Sequence, residues 1–174
     1  MTAYTAAPPG ADEYPADFEG YVSLVPEGDV LQTLARQIDD TLDILRAVSE
    51  ERAASAYAPG KWTMKQLAGH LVDSERVFAY RALCIARGDT ASLPGMDQNV
   101  YVEHGNFDAR TLASLADELA RVRATTLDLL SHLDEPAWLR RGTANDNEMS
   151  VRALAHIIAG HEVHHVKVLR ERYL

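Results

Sequence analysis

Four segments of this chain repeat their apolar residues at steps of three and four, a period that gathers each stripe onto one face of a helix. The first runs from about Asp29 to Ala54 and carries Leu31, Leu34, Ile38, Leu42 and Leu45. The second follows the turn "PGKW". Thr63 is its N-cap with Gln66 three residues on, a capping-box pair, and the stripe Leu67, Leu71, Ser74, Phe78 and Ile85 continues to about Arg87, where Gly88 stops it. The third opens near Asp108, carries Leu112, Leu115, Leu119, Val122, Thr126, Leu129 and Leu133, and ends before Pro136. The fourth starts after Ser150, a good N-cap, and runs nearly to Leu174. No strand-like alternation of any length accompanies them, so the expected fold is all-α, a four-helix bundle without strands.

The segment before these helices reads differently. Four of the seven prolines fall in the first 26 residues, mixed with Asp12, Glu13, Asp17, Glu19 and Glu27, which breaks any helical stripe. Residues 1–28 are therefore expected to form an extended N-terminal arm, its "YVSLV" packed on the body, and residues 29–174 the bundle. At 174 residues and 47% hydrophobic composition, one core is the expectation.

A net charge of −9 argues against nucleic acid and anionic membranes as partners, since both demand clustered Lys and Arg. Cys84 is the single cysteine, which excludes an intrachain disulfide and a cysteine-built zinc site. No apolar run approaches the roughly 20 residues that span a bilayer, and "MTAYTAAPPGADEYP" has neither a basic start nor an apolar leader segment. Together these place the protein in the cytoplasm as an expectation.

The stretch "HIIAGHEVHH", residues 156 to 165, holds four of the seven histidines. With Leu154 at zero and about 100° per residue, His161 falls at about 340° and His165 at about 20°, inside the core stripe. His164 at about 280° lies on the flank, and His156 at about 200° is expected to face solvent. On the second helix, with Leu67 at zero, His70 at about 300° also leans inward. Buried imidazoles need partners, and three neutral ones converging in a bundle can share one divalent cation while leaving a coordination position open. A hydrogen-bonded core pair is the alternative that HxxxH spacing alone leaves standing.

The succession "PGKWTMKQLAGHLVDSERVFAYRAL", "LPGMDQNVY", "RVRATTLDLLSHLDEPAW" and "TANDNEMSVRALAHIIAGHEVHHVKVL" resembles the DinB-like (DinB/YfiT) superfamily of four-helix-bundle metalloenzymes over about residues 28 to 172. The resemblance implies a long crossover between helices two and three, for which residues 88 to 107 suffice. It implies a metal triad of one histidine early in helix two and two in helix four, matching His70, His161 and His165. It also implies a small-molecule substrate, with the metal (Zn²⁺, Ni²⁺ or Fe²⁺) activating a low-molecular-weight thiol or water for transfer or hydrolysis. Members commonly pair through helix faces, so a homodimer is expected, and Val163 and Val166 lie outside the core stripe to serve it.

Around the triad, Asp73 is the candidate catalytic carboxylate, to orient His70 or accept a proton, with an exposed helix carboxylate as the alternative. Arg81, on the inward side, needs an acidic partner or an anionic substrate group. Asp97, Gln98 and His104 sit in the loop that resembles the family's metal-facing crossover. Glu162 is expected at the surface or rim. Against the enzyme stands a non-catalytic metal- or small-molecule-binding bundle.

Overall fold

A computed structural model describes residues 7–174, so the first six residues of the expected arm lie outside it. Four helices form the bundle: α2 (Val30–Arg46), α4 (Met64–Ala86), α6 (Leu112–Ser131) and α8 (Val151–Val168). A short α1 (Glu19–Val22) precedes them in the arm, and α3 (Glu50–Ala53), α5 (Gln98–His104) and α7 (Glu135–Leu139) lie in the connections, with a π turn at Leu169–Tyr173 closing the chain. Side-chain caps fix the starts. Asp29 accepts from Leu31 N, Thr111 from Ser114 N and Ser150 from Ala153 N, and Thr63 and Gln66 form the complete capping box. Each such cap is worth about 1 kcal/mol.

The first segment does not remain one helix to Ala54. Ser49 accepts a hydrogen bond from Arg52 N and starts α3 afresh, the competition a serine side chain offers to a continuing helix. Nor is the chain free of strands. Arg141–Ala144 (β1) and Asn147–Ser150 (β2) pair antiparallel, with Arg141 opposite Ser150. Asn145 and Asp146 turn between them at φ of 51° and 58°, the left-handed pair that a two-residue hairpin turn requires. Four-residue strands are too short to show alternation in the sequence.

α2 packs against α6 and α8, and so does α4, leaving α2 and α4 on one diagonal although they are consecutive in the chain. Side-chain contacts between the helices fix the directions. Gln66 and Arg76 of α4 reach Asp108 and Glu118 in ascending order, so α4 and α6 run parallel. On α2, Leu34 reaches Arg123 but Arg46 reaches Asp117, so α2 is antiparallel to α6. Parallel neighbours require a connection as long as the bundle, and the segment carrying α5 is that crossover. It seats Phe107 against Gly69, where a Cβ would lie 2.3 Å from the ring.

The core is split. One apolar cluster gathers Leu34, Ile85, Trp138 and Leu154; the other gathers Leu45, Leu67, Leu115 and Leu169. Between them lies Arg123, 1% exposed, whose guanidinium donates to Glu75 Oε1 and Oε2 (both 2.8 Å), Glu162 Oε2 (2.8 Å) and Leu34 O (2.9 Å). Glu162 also accepts from Thr41 Oγ1 at 2.6 Å and from Gln37. It is therefore a buried structural carboxylate and not the rim residue expected, because its phase turns it into the junction with α2 and α6, where Thr41, Gln37 and Arg123 meet it.

Replacing Arg123 by Met leaves two carboxylates buried without their cation, so unfolding free energy should drop by about 3–5 kcal/mol. Urea denaturation measures it; a loss below about 1 kcal/mol would mean that the carboxylates are satisfied without Arg123.

Candidate metal centre

His70 projects from the second turn of α4, and His161 and His165 from successive turns of α8. The Nε2 atoms of His70 and His161 are 3.0 Å apart, those of His161 and His165 3.1 Å, and one nitrogen from each of the three rings lies within 4.8 Å of the others. His70 and His161 are buried, and His165 is nearly so. Burial pushes His70 down to about 4; burial, then the neighbouring His70 and His164 rings, push His165 down to about 3. His161 is held well below its ordinary value by burial, then by the neighbouring His165, His70 and His164 rings. At neutral pH all three therefore present lone pairs.

Protons alone do not satisfy this cluster. His161 Nε2 faces two other Nε2 atoms, and a nitrogen that holds one hydrogen or one lone pair makes one good hydrogen bond with them, not two. His165 Nδ1, also buried, has no partner among the described residues. A cation accepting one lone pair from each ring removes the conflict, and an all-imidazole donor set suits a borderline divalent metal. The residues fit the metal that the sequence implied. Ser74 Oγ, 3.3 Å from His70 Nδ1, helps to fix that ring.

Two of the three histidines, His70 and His161, line a cavity of about 170 Å³. Its walls come from three places. The arm supplies Phe18 and Tyr21, and Tyr21 stands edge-on to His161 with centroids 5.3 Å apart. Close approach here depends on Gly160, where a Cβ would lie 2.0 Å from Tyr21 O. The arm is tied down by buried Glu13, which accepts from Ser150 Oγ and Arg152 Nε at 2.7 Å each. Burial alone would raise the Glu13 carboxyl, but Arg152, Gly10 N–H and Ser150 hold it at about 2. The crossover supplies Met96 and Gln98, and the hairpin turn supplies Asn145. Crossover and hairpin are joined by Leu93 N to Thr143 O and Asn145 N to Leu93 O, both 2.9 Å.

Not every residue singled out from the sequence reaches this site. Asp73 makes no contact with His70. It pairs loosely with Arg76 (3.7 Å), beside Glu118 and Arg110, on the side of α4 facing α6; burial raises its carboxyl, Arg76 lowers it and Glu118 raises it again. Asp97 caps α5 by accepting from Asn99 N, and His104 is exposed on that helix. His156 is 2% exposed and not solvent-facing as expected, because α1 and α7 cover the outer side of α8; its Nδ1 lies 2.8 Å from Arg152 O. His164, half-buried, packs on Tyr21 and stays outside the group of three. The arm residues Phe18 and Tyr21 were missed, since nothing in their spacing points to a histidine over a hundred residues away.

The family model described as the DinB superfamily matches residues 33–169. The chain belongs to the DinB superfamily. Among solved structures, it is similar to YfiT from Bacillus subtilis, described as a probable metal-dependent hydrolase with an unusual four-helix bundle topology. The identity is 17%, the TM-score 0.73, and the similarity covers 81% of this chain and 84% of that one. No curated protein matches. The DinB match begins at residue 33, so the arm that walls the cavity precedes it.

The depressed histidines make the metal-free protein acid-sensitive. Below about pH 6.5 the unfolded chain protonates histidines that the folded protein keeps neutral, so unfolding takes up protons. Their stabilising contribution is complete above about pH 6.5 and declines as pH falls toward the folded values, by at most about 1.4 kcal/mol per pH unit for each histidine. Urea titrations of metal-free protein at about pH 7.5 and 5.5 measure this. A His165→Leu variant should lose less; an equal loss would assign the effect to other groups.

Proposed function

We propose that this DinB-superfamily protein is a metal-dependent enzyme acting on a small molecule, with His70, His161 and His165 holding one divalent cation at the end of the cavity. The observation that carries the reading is the convergence of three neutral imidazole nitrogens with Nε2 separations of 3.0 and 3.1 Å. A dication bound there lowers the pKa of a thiol or water and supplies a nucleophile near neutral pH. The chain's own side chains do the rest. Ser74 orients His70, Trp62 covers the His70 ring at a centroid distance of 4.9 Å, and Tyr21 and Phe78 shield His161 from solvent.

Within this reading, transfer to or from a low-molecular-weight thiol ranks ahead of hydrolysis. Hydrolysis needs a group that takes the water's proton and returns it, and no acidic residue lines the cavity among the described residues. A thiolate needs no such relay. Hydrolysis is the second reading, favoured by the likeness to YfiT. A homodimer belongs to the proposal too: Val163 and Val166 line a groove beside α2 and α8, among polar and charged residues, and sedimentation of a 19.2 kDa species alone would remove it.

Metal analysis of the untagged protein tests the centre. Single substitutions of His70, His161 or His165 by Ala should each weaken metal binding by about 100-fold or more, whereas His164→Ala and His156→Gln should retain it. Metal retained in His165→Ala but lost in His164→Ala would overturn the ligand set. The nucleophile is tested separately. A cellular thiol should alter the absorption spectrum of Co²⁺-loaded protein, and Asp73→Asn should leave turnover intact. An unchanged spectrum together with ester or amide hydrolysis that collapses in Asp73→Asn would make hydrolysis the better reading.

A further inference from the structure

Arg81 is 4% exposed, yet no Asp or Glu among the described residues forms an ion pair with it. Its Nη2 donates to Pro94 O at 2.8 Å, its guanidinium carbon lies 5.7 Å from the centroid of the Phe78 ring, and the neutral phenol of Tyr101 is nearby. A guanidinium carries five N–H donors in a rigid fork, so one carbonyl and one aromatic face leave most of it unused. Burying a cation without a counter-ion is costly, and burial lowers the Arg81 pKa accordingly.

Arg81 lines the same cavity as His70 and His161. In a chain with 26 acidic residues, none lines that cavity. Its remaining polar side chains, Tyr21, Ser74, Gln98 and Asn145, are neutral, and Arg81 is its single permanent cation. One guanidinium edge and no lysine match a planar monoanion better than a phosphate dianion, and the volume of about 170 Å³ admits only a small molecule. We propose that the cavity beside the histidines binds a small carboxylate, with Arg81 as its anchor and the rest of the molecule lying toward the triad. Pro94, Phe78 and the crossover hold the guanidinium in place for it. The inference rests on the reading of this cavity as the substrate site.

Calorimetric titration of metal-free protein with butyrate, butyramide and inorganic phosphate tests the anchor apart from the metal. Butyrate should bind about 10- to 100-fold more tightly than butyramide, a preference reduced in Arg81→Lys and lost in Arg81→Met. Because Arg81→Met also removes the bond to Pro94 and its fold could suffer, a second readout uses the wild-type chain. The arginine Nε–Hε resonance absent from the Arg81→Lys spectrum should shift with butyrate and stay fixed with butyramide. Equal binding of acid and amide, unchanged butyrate binding in Arg81→Met, or a stationary resonance would overturn the proposal. Phosphate binding with butyrate silent would overturn the carboxylate assignment. Butyrate held by Arg81 in a protein that binds no metal would sink the enzyme reading and leave this one standing.

Discussion

One guanidinium sets the register of the bundle. Arg123 on α6 reaches the backbone of α2 and a carboxylate on each of α4 and α8, so all four long helices meet at one buried side chain. Burial disfavours the charge, and the Glu75 and Glu162 carboxylates more than restore it, leaving Arg123 with a raised pKa. Such a cluster tolerates little sliding, because the loss of one partner strands the others in a medium that solvates them poorly. Glu75 lies five residues beyond His70, and Glu162 is the residue after His161. The register that joins the carboxylates through Arg123 therefore also fixes the height at which the imidazoles meet. An apolar layer in the same place would have held the helices together with less command over their relative position.

Most of each apolar stripe, the capping box at Thr63, the cap at Ser150 and the inward phases of His70, His161 and His165 were legible, because each depends on residues three or four apart in one helix, whereas the third helix starts after Thr111 and not near Asp108. Arg123 was legible in principle: it stands four residues after Leu119, in the core stripe of its helix, as Glu75 stands four after Leu71. Opposite charges at core phases of two helices are the signal that a reading of apolar stripes passes over. The errors at His156 and Glu162 share a different cause. A phase angle says which way a side chain points, and whether that direction is solvent depends on every element packed there. The first half of α8 is covered by α1 and α7 besides its bundle neighbours, so nearly all of its residues are buried. Helix directions needed cross-helix pairs such as Arg76 with Glu118, which no local pattern encodes.

The site is assembled from two kinds of segment. The imidazoles belong to the DinB-matched helices, whereas part of the wall facing them belongs to the arm before residue 33. That arm is not loosely laid on. Glu13 is anchored at the start of α8 by Ser150 and Arg152, and Tyr21 presses its backbone against Gly160, one residue before His161. Because the contact needs a residue without a Cβ on α8, scaffold and arm are matched at that point. The hairpin plays the same part on the other side, holding the crossover at Leu93 and presenting Asn145 to the cavity.

What the arrangement withholds from the histidines is as informative as what it provides. The carboxylates nearest to them in sequence are engaged by arginines: Glu75 and Glu162 by Arg123, and Asp73 by Arg76. Among the described residues, the only cluster of potential ligands is the three imidazoles. With neutral ligands alone, a bound dication would keep its full charge and be a strong Lewis acid, whereas a carboxylate ligand would cancel part of that charge. The cavity beside it has the same character, with one arginine, several amides and hydroxyls, and no acid. In a chain of net charge −9, that exclusion makes the cavity a local inversion of the protein's own field. A site of this polarity favours electron-rich groups over the cations that the rest of the surface attracts.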